Sequence, residues 1–404
     1  MIADSAIPRG FRFGAVAAGV KYADRLDLAM MQTDDPAGAA AAALFTTNLV
    51  KAAPLVAGAQ HLKKSAARMR ALIVNSGNAN CANGQGGLSG CKRICRALAK
   101  RIGAHESQIF PSSTGVIGMP FPAQRVIAAL PRLSASLAAT PAAAELLARA
   151  IMTTDTRPKI ATASLTVGSG ARKKGVRLLG VAKGSGMIHP NMATMLAYVF
   201  TDVQASPSQL RRALVTAASQ SFHGISVDGD TSTNDTLAIF ASGHSGAVLT
   251  GRGQKDFHAA LNEVCRSLAE QIVADGEGVQ HVIRLHIEQA QSESEARRIG
   301  NTIATSMLVK TAWAGADPNW GRILAAVGRS GISLDAAKVD IFLGVQPLCR
   351  RGNRQPFNEA VAHGLMSQPS YDIRVVLRRG AARATILTTD LTAEYVRINA
   401  DYRT

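Results

Sequence analysis

A hydroxyl residue set between a bend and an apolar run is the first place where the residue types of this chain suggest chemistry. Lys183-Gly184-Ser185-Gly186-Met187-Ile188-His189-Pro190-Asn191-Met192-Ala193-Thr194-Met195-Leu196-Ala197 opens with a Gly-punctuated, flexible turn carrying one Lys. It bends at His189-Pro190-Asn191 and runs into an apolar strand at 197–200. Pro190 biases the residue before it toward extended geometry and Asn191 tolerates unusual backbone angles, which places a tight bend just before Ala193-Thr194. Thr194 is then either a turn residue or a nucleophile whose first target is its own peptide bond. A Thr hydroxyl needs a base beside it. Cleavage before Thr194 would supply one, because the freed α-amine has a reference pKa of about 7.7–8.0. None of the nine His stands in a recognisable catalytic motif, so no Ser-His-Asp set competes with this reading.

Five further loops carry donors or charges. Thr114-Gly115 follows an apolar run at 108–110; Gly115 lets a backbone N–H approach a ligand closely, and with the Thr114 hydroxyl it offers two donors suited to a developing oxyanion. By itself that motif is weak. Asn75-Ser76-Gly77-Asn78-Ala79-Asn80 ends a short strand and reads equally as a site lining or a satisfied turn. Thr153-Thr154-Asp155-Thr156 reads as a capped turn. Glu277 between Gly276 and Gly278 is either a solvent-exposed turn acid or a carboxylate suited to a substrate ammonium group. The Asp-rich loop Asp228-Gly229-Asp230 to Asp235 lacks the spacing and distal Glu of an EF-hand, so an unmetallated polar loop is the favoured reading and no metal or organic cofactor is expected.

These loops must be held by a framework, and the periodicities describe mixed α/β structure with many short strands. Strands are expected at 11–16, 43–48, 71–74, 161–180 as a strand–turn–strand, 237–241, 339–345, 373–377 and 384–388, the last three closing the sheet. Helical spacing of Cys91, Ile94, Cys95, Leu98 and Ile102 marks a helix over 89–103, with both cysteines as core residues. An Ala- and Leu-rich helix over 122–150 is interrupted at Pro131 and Pro141. Ser206-Pro207-Ser208-Gln209 is a capping box with Pro at the first helical position. Phe257, Leu261, Val264, Leu268 and Ile272 mark a long amphipathic helix, and Trp320 reads as a core anchor.

Composition bounds the class. The 404 residues are 47% hydrophobic, enough for a large core in one or two domains. No run approaches the roughly 20 apolar residues of a membrane span, and the start lacks a signal-peptide layout. Five cysteines without a Cys-x-x-Cys pair indicate neither a disulfide framework nor a zinc knuckle, so a cytoplasmic protein is expected. Residues 1–193 hold 24 Lys and Arg against 8 Asp and Glu, whereas residues 194–404 hold 21 against 20. Aromatic residues are only 4%, with no base-stacking motif, so a basic face that steers anionic substrates is favoured over nucleic-acid binding.

The run Pro190-Asn191-Met192-Ala193-Thr194-Met195-Leu196 closely resembles the glutamate N-acetyltransferase (ornithine acetyltransferase) family, whose precursors cut themselves at this Ala-Thr bond. Further matching wording lies at Phe45-Thr46-Thr47-Asn48, Gly276-Glu277-Gly278 and Asp317-Pro318-Asn319-Trp320-Gly321-Arg322, and the resemblance extends from Gly10 to Thr404. It implies an α/β fold of the N-terminal-nucleophile kind, a layered sheet sandwich flanked by helices. Fragments 1–193 and 194–404 would be α and β chains sharing one core and pairing as a heterotetramer. It implies an acyltransferase that moves the acetyl group of N2-acetylornithine to glutamate through an acetyl-Thr194 intermediate; use of acetyl-CoA as a second donor is left open. Thr114 and Gly115 become the oxyanion hole. Thr154 (with Thr153 and Thr156 as alternatives), Lys183, Glu277, Asn399 and Thr404 become substrate contacts, and Thr194 both binds and reacts. Val279-Gln280-His281 departs from the family's Ala-Thr-Lys, which puts side-chain selectivity in question. Two rival readings are an N-terminal-nucleophile aminopeptidase or amidase, and a basic nucleic-acid-binding protein.

Overall fold

The computed structural model describes residues 2–168, 170, 173–189 and 195–401. Ala193, Thr194 and Thr404 therefore lie outside the described residues. The first strands are β1 (Phe11–Val16), β2 (Leu28–Thr33), β3 (Ala39–Phe45), β4 (Arg68–Met69), β5 (Ala71–Asn75) and β6 (Ile109–Ser113). The middle of the chain supplies β7 (Lys159–Val167), β8 (Lys174–Lys183), β9 (Leu196–Thr201), β10 (Ile225–Ser226) and β11 (Thr236–Ala241). The last third adds β12 (Val282–Ala290), β13 (Asp340–Leu343), β14 (Gln346–Arg350), β15 (Asn353–Arg354), β16 (Ser370–Val376) and β17 (Ala382–Thr389).

They form three sheets: four strands in the order β1-β2-β5-β6, six as β4-β3-β11-β9-β8-β7, and seven as β10-β17-β12-β16-β13-β14-β15. The first two stack face to face, and the two-residue period of a strand decides which side chains meet. In β9, Leu196, Tyr198 and Phe200 enter the core between the sheets, while Ala197 and Val199 face the opposite core. Phe200 meets Phe13 and Phe11 of β1 at ring-centroid distances of 5.0 and 5.7 Å, and Phe240 of β11 at 5.8 Å. Contacts of this kind fasten the sheets and contribute about 0.5–1.5 kcal/mol each beyond area burial. Helices Gly84–Ile102 and Ala123–Ala135 cover the outer face of the four-stranded sheet, with Cys91 and Cys95 in that core. Helices Pro207–Ser219 and Gly251–Val273 cover the outer face of the six-stranded sheet. The result is the expected layered sandwich flanked by helices.

The six-stranded sheet draws β3, β4, β7 and β8 from before Thr194 and β9 and β11 from after it. β9 lies between β8, antiparallel, and β11, parallel. The two halves of the chain share one core.

Local signals explain much of this. Ser206 accepts the Gln209 N–H at 3.3 Å while the Gln209 side chain accepts the Ser206 N–H at 2.9 Å, a reciprocal cap that starts its helix as read from sequence. Four expectations need correction. The strands at 340–343, 370–376 and 382–389 do not close the first sheet; they belong to the separate seven-stranded sheet with its own core. Pro131 sits within the helix Ala123–Ala135, and only Pro141 marks a helix start. Trp313, 1% exposed, anchors the core of the seven-stranded sheet, whereas Trp320 is half-buried at its margin. Lys183 is the last residue of β8 and buried, because the strand continues through it instead of loosening into a turn.

Truncating the largest buried side chain tests the core of the seven-stranded sheet. Trp313→Ala is expected to cost about 3–5 kcal/mol, read as a lower denaturation midpoint at unchanged denaturant slope.

Candidate active site

Two strand ends, one helix end and the last helix converge on a cavity of about 230 Å3. Thr114 and Gly115 follow β6, Lys183 ends β8, and Glu277 follows the helix Gly251–Val273. Asn399 reaches it from the C-terminal helix Ala393–Asp401. Thr153 and Thr154 both line it, but Thr156 does not: its N–H and hydroxyl both donate to the Asp275 carboxylate, the N–H at 3.0 Å. The described candidates Thr114, Gly115, Thr154, Lys183, Glu277 and Asn399 thus come together in one place from segments up to 285 residues apart. Thr194 and Thr404 lie outside the described residues, yet Met195, which follows Thr194, is tightly held. Its N–H donates to Asp235 Oδ1 at 3.1 Å and its carbonyl accepts the Thr236 N–H at 3.0 Å. Asp235 adjoins Ser232, Thr233 and Asn234, which line the same cavity.

The donor pair at Thr114-Gly115 is shaped by the loop beneath it. Gly115 has φ of +130°, and a Cβ there would stand 2.3 Å from the carbonyl carbon of Gly77, so no other residue fits. The 75–80 loop is a satisfied turn that supports this approach. Asn75 Nδ2 donates to the Asn78 carbonyl at 2.8 Å, Ser113 Oγ to Asn75 Oδ1 at 2.6 Å, and Ser76 Oγ to the Ala150 carbonyl at 2.7 Å. Asn234 ties the loops together, donating to the carbonyls of Ala79 and Ser113 at 2.7 and 2.8 Å. The Thr114 N–H is spent on the Asn75 carbonyl at 3.0 Å. The Gly115 N–H and the Thr114 hydroxyl have no partner among the described residues, so the hydroxyl and the next backbone N–H are the free donors.

Charges of both signs line the cavity. Burial pushes the Lys183 ammonium below its ordinary value, against the pull of Asp155. Glu277 Oε2 accepts Asn399 Nδ2 at 2.8 Å, and the Glu277 N–H donates to the Ser185 carbonyl at 3.2 Å. Gly186 leaves room for that carboxylate, since a Cβ there would lie 2.3–2.6 Å from it. Asp228 accepts the N–H groups of Ile188 and Asp230 at 2.9 and 3.1 Å and that of Met187. Burial nonetheless raises its pKa to about 6. Burial raises Asp235 as well, against the hydrogen bond from Met195. In the Asp-rich loop, Asp228 and Asp235 are therefore spent on backbone N–H groups that shape the wall. Val279, Gln280 and His281 do not line the cavity; the N–H groups of Gln280 and His281 donate to Asp390 at 3.1 and 3.2 Å, and the His281 ring meets the Gln368 carbonyl at 2.8 Å.

Sequence reasoning missed the residues that set this geometry from behind. Asp155 accepts from Thr153, Lys159 and Gly184, and Asp275 from Thr156 and Lys159. The one available signal was a Lys opening an otherwise apolar strand, Lys159-Ile160-Ala161. Asp235 and Asn234 were part of a loop read for its polarity, with no sign of what each side chain would hold.

Comparison with known proteins follows the same line. The ArgJ family pattern matches residues 12–404. The chain is 45% identical over 400 residues to the arginine biosynthesis bifunctional protein ArgJ of Methylococcus capsulatus, covering 98% of this chain and 95% of that one. It is 42% identical over 400 residues to the protein of the same name from Geobacter sulfurreducens, covering 98% and 99%. A solved structure, ornithine acetyltransferase complexed with ornithine from Mycobacterium tuberculosis, is similar at 30% identity and a TM-score of 0.40, over 47% of this chain and 95% of that one. With a match across nearly the whole sequence and relatives above 40% identity over almost all of both lengths, the chain belongs to the ArgJ family.

Proposed function

We propose that this acyltransferase of arginine biosynthesis moves the acetyl group of N2-acetylornithine to glutamate through an acetyl-Thr194 intermediate. The observation that carries the reading is the meeting of free oxyanion donors, an ammonium and a carboxylate in one cavity whose wall includes both Met187 and the loop holding Met195. In a first phase the Thr194 hydroxyl attacks the Ala193 carbonyl, and hydrolysis of the resulting ester leaves two chains and a free α-amine. In the second phase that amine takes the hydroxyl proton, and Thr194 attacks the acetyl carbonyl and releases ornithine. Glutamate then takes the acetyl group. The Thr114 hydroxyl and Gly115 N–H steady each tetrahedral oxyanion, a contribution of about 2.7–4 kcal/mol per donor.

The charges fit substrates that are amino acids. Lys183 receives a carboxylate, and Glu277, oriented by Asn399, receives the ornithine ammonium group. Thr154 and Thr404 complete the substrate contacts. Val279-Gln280-His281 lies off the cavity wall, so its departure from the family wording leaves the Glu277 contact intact. The relatives are named bifunctional, and a second activity here would be acetyl transfer to glutamate from acetyl-CoA. The shared six-stranded sheet supports fragments that stay associated; that two of each form a heterotetramer rests on the family resemblance. No helix among the described residues is long and apolar enough to cross a membrane, which fits a cytoplasmic enzyme.

Purified protein should run as two fragments of similar size, with a second amino terminus reading Thr-Met-Leu-Ala. Thr194→Ala should give one full-length band without acetyl transfer; a variant that still splits and still transfers would overturn the mechanism. Release of acetate in the absence of an acceptor amine, at the rate seen with glutamate, would mark a hydrolase instead. Gly186→Ala should push the Glu277 carboxylate off Asn399 and raise KM for N2-acetylornithine about tenfold or more, with a smaller change in kcat, by steady-state kinetics. Asp228 has a folded-state pKa of about 6, above its ordinary 3.8. Its stabilising share is full below pH about 4 and is lost as pH rises through about 6, a change on the order of 2–3 kcal/mol. Asp228→Asn should flatten that decline in denaturation free energies measured across the window.

A further inference from the structure

Four buried charges meet at the cavity wall, and the acetyl-transfer steps use only one of them, Lys183. Lys159, the first residue of β7, is wholly buried, and its Nζ donates to Asp155 Oδ1 and Asp275 Oδ2, both at 2.6 Å. Asp155 also receives the N–H groups of Thr153 at 3.0 Å and Gly184 at 2.7 Å. Asp275 receives the Thr156 N–H at 3.0 Å, and its backbone carbonyl accepts the Ser185 hydroxyl at 2.5 Å. One ammonium thus ties together the three segments that carry Thr154, Lys183 and Glu277.

The fourth charge is Lys183. Its Nζ stands 4.0 Å from Asp155 Oδ2, an ion pair by proximity but beyond hydrogen-bond length, while the same side chain lines the cavity. Buried charges persist only where they are paired. Without Lys159, Asp155 would keep Lys183 as its neighbouring buried cation, while Asp275 would keep the half-exposed Arg157, 3.9 Å away.

We propose that Lys159 is a positioning residue: by occupying Asp155 and Asp275 it leaves the Lys183 ammonium facing the cavity, where it selects a substrate carboxylate. This rests on reading Lys183 as the carboxylate contact. Lys159 itself touches no substrate. Its charge decides where the neighbouring charge points.

The test uses the full chain, with rates normalised to the processed fraction read by mass spectrometry, and glutamate as the varied acceptor. Lys183→Met should raise KM for glutamate about 10- to 100-fold. Lys159→Met should do the same as Lys183 is drawn onto Asp155, with kcat changing less than about threefold. Adding Asp155→Asn to Lys159→Met should return KM to within about threefold of wild type, because the amide oxygen still accepts the Gly184 N–H, at the cost of the Thr153 hydrogen bond, but the side chain no longer attracts Lys183. A role of Lys159 in stability alone would lower the denaturation midpoint of Lys159→Met and leave KM unchanged. Asp155→Asn alone keeps both lysines and should leave KM within about threefold of wild type; a rise there of tenfold overturns the proposal even if Lys159→Met fails to fold. If Lys183→Met leaves KM unchanged, the carboxylate reading of Lys183 falls. If it raises KM while Lys159→Met does not, only the role of Lys159 falls.

Discussion

Backbone pairing of β9 between β8 and β11 is the constraint on which the rest of the molecule depends. All six residues of β9 are buried, and they alternate between two cores, so neither a one-residue slip nor a loss of either neighbour can be accommodated. Met195, just ahead of β9, is fixed from both sides, by the Asp235 carboxylate and by the Thr236 N–H. The entry to the strand thus takes its anchor from the sheet, and the loops that follow β6 and β8 and the loop that leads into β11 are gathered beside it at the cavity.

The cavity is built in the same spirit, with close approach in place of flexibility. Gly115 is pressed on the backbone of Gly77, and Gly186 is pressed on the Glu277 carboxylate. In both places the missing side chain is what allows a donor or an acceptor to stand where it does. The polar residues around them are mostly consumed by one another, which leaves few groups free to face a substrate and gives those few a fixed aim.

Much of this was legible in the residues. Two-residue alternation located β1, continuous apolar runs located β5, β9 and β11, helical spacing located the helix carrying Cys91 and Cys95, and the Ser206–Gln209 box marked a helix start because its partners are local. The candidate loops were readable by composition, since Ser, Thr, Gly and Asn at strand ends are donors wherever the strands meet. What was hidden depends on contacts between distant segments. Nothing near Lys159 announces that Asp275, 116 residues later, will share its charge, and nothing in the last third says that its strands pair with each other instead of extending the first sheet. Pro131 was misread for a related reason: packing of Ala129, Leu130 and Leu133 against the four-stranded sheet carries the helix through a residue that local preference would put at an end.

One strand was built against its own inclination. β3 is alanine from Ala39 to Ala43, each of them buried, with Ala40 and Ala42 sharing a core with Ala213 and Ala217 of the covering helix. Alanine gives up no rotamer entropy on burial, so the stretch is inexpensive to order, but it is also the strongest helix former. Its extended shape therefore has no source within the segment and comes from its partners: β4 pairs with Ala39 and Ala40, and β11, nearly two hundred residues along the chain, pairs with Ala40 through Phe45. Ordering of the central sheet thus rests chiefly on a contact of very high order.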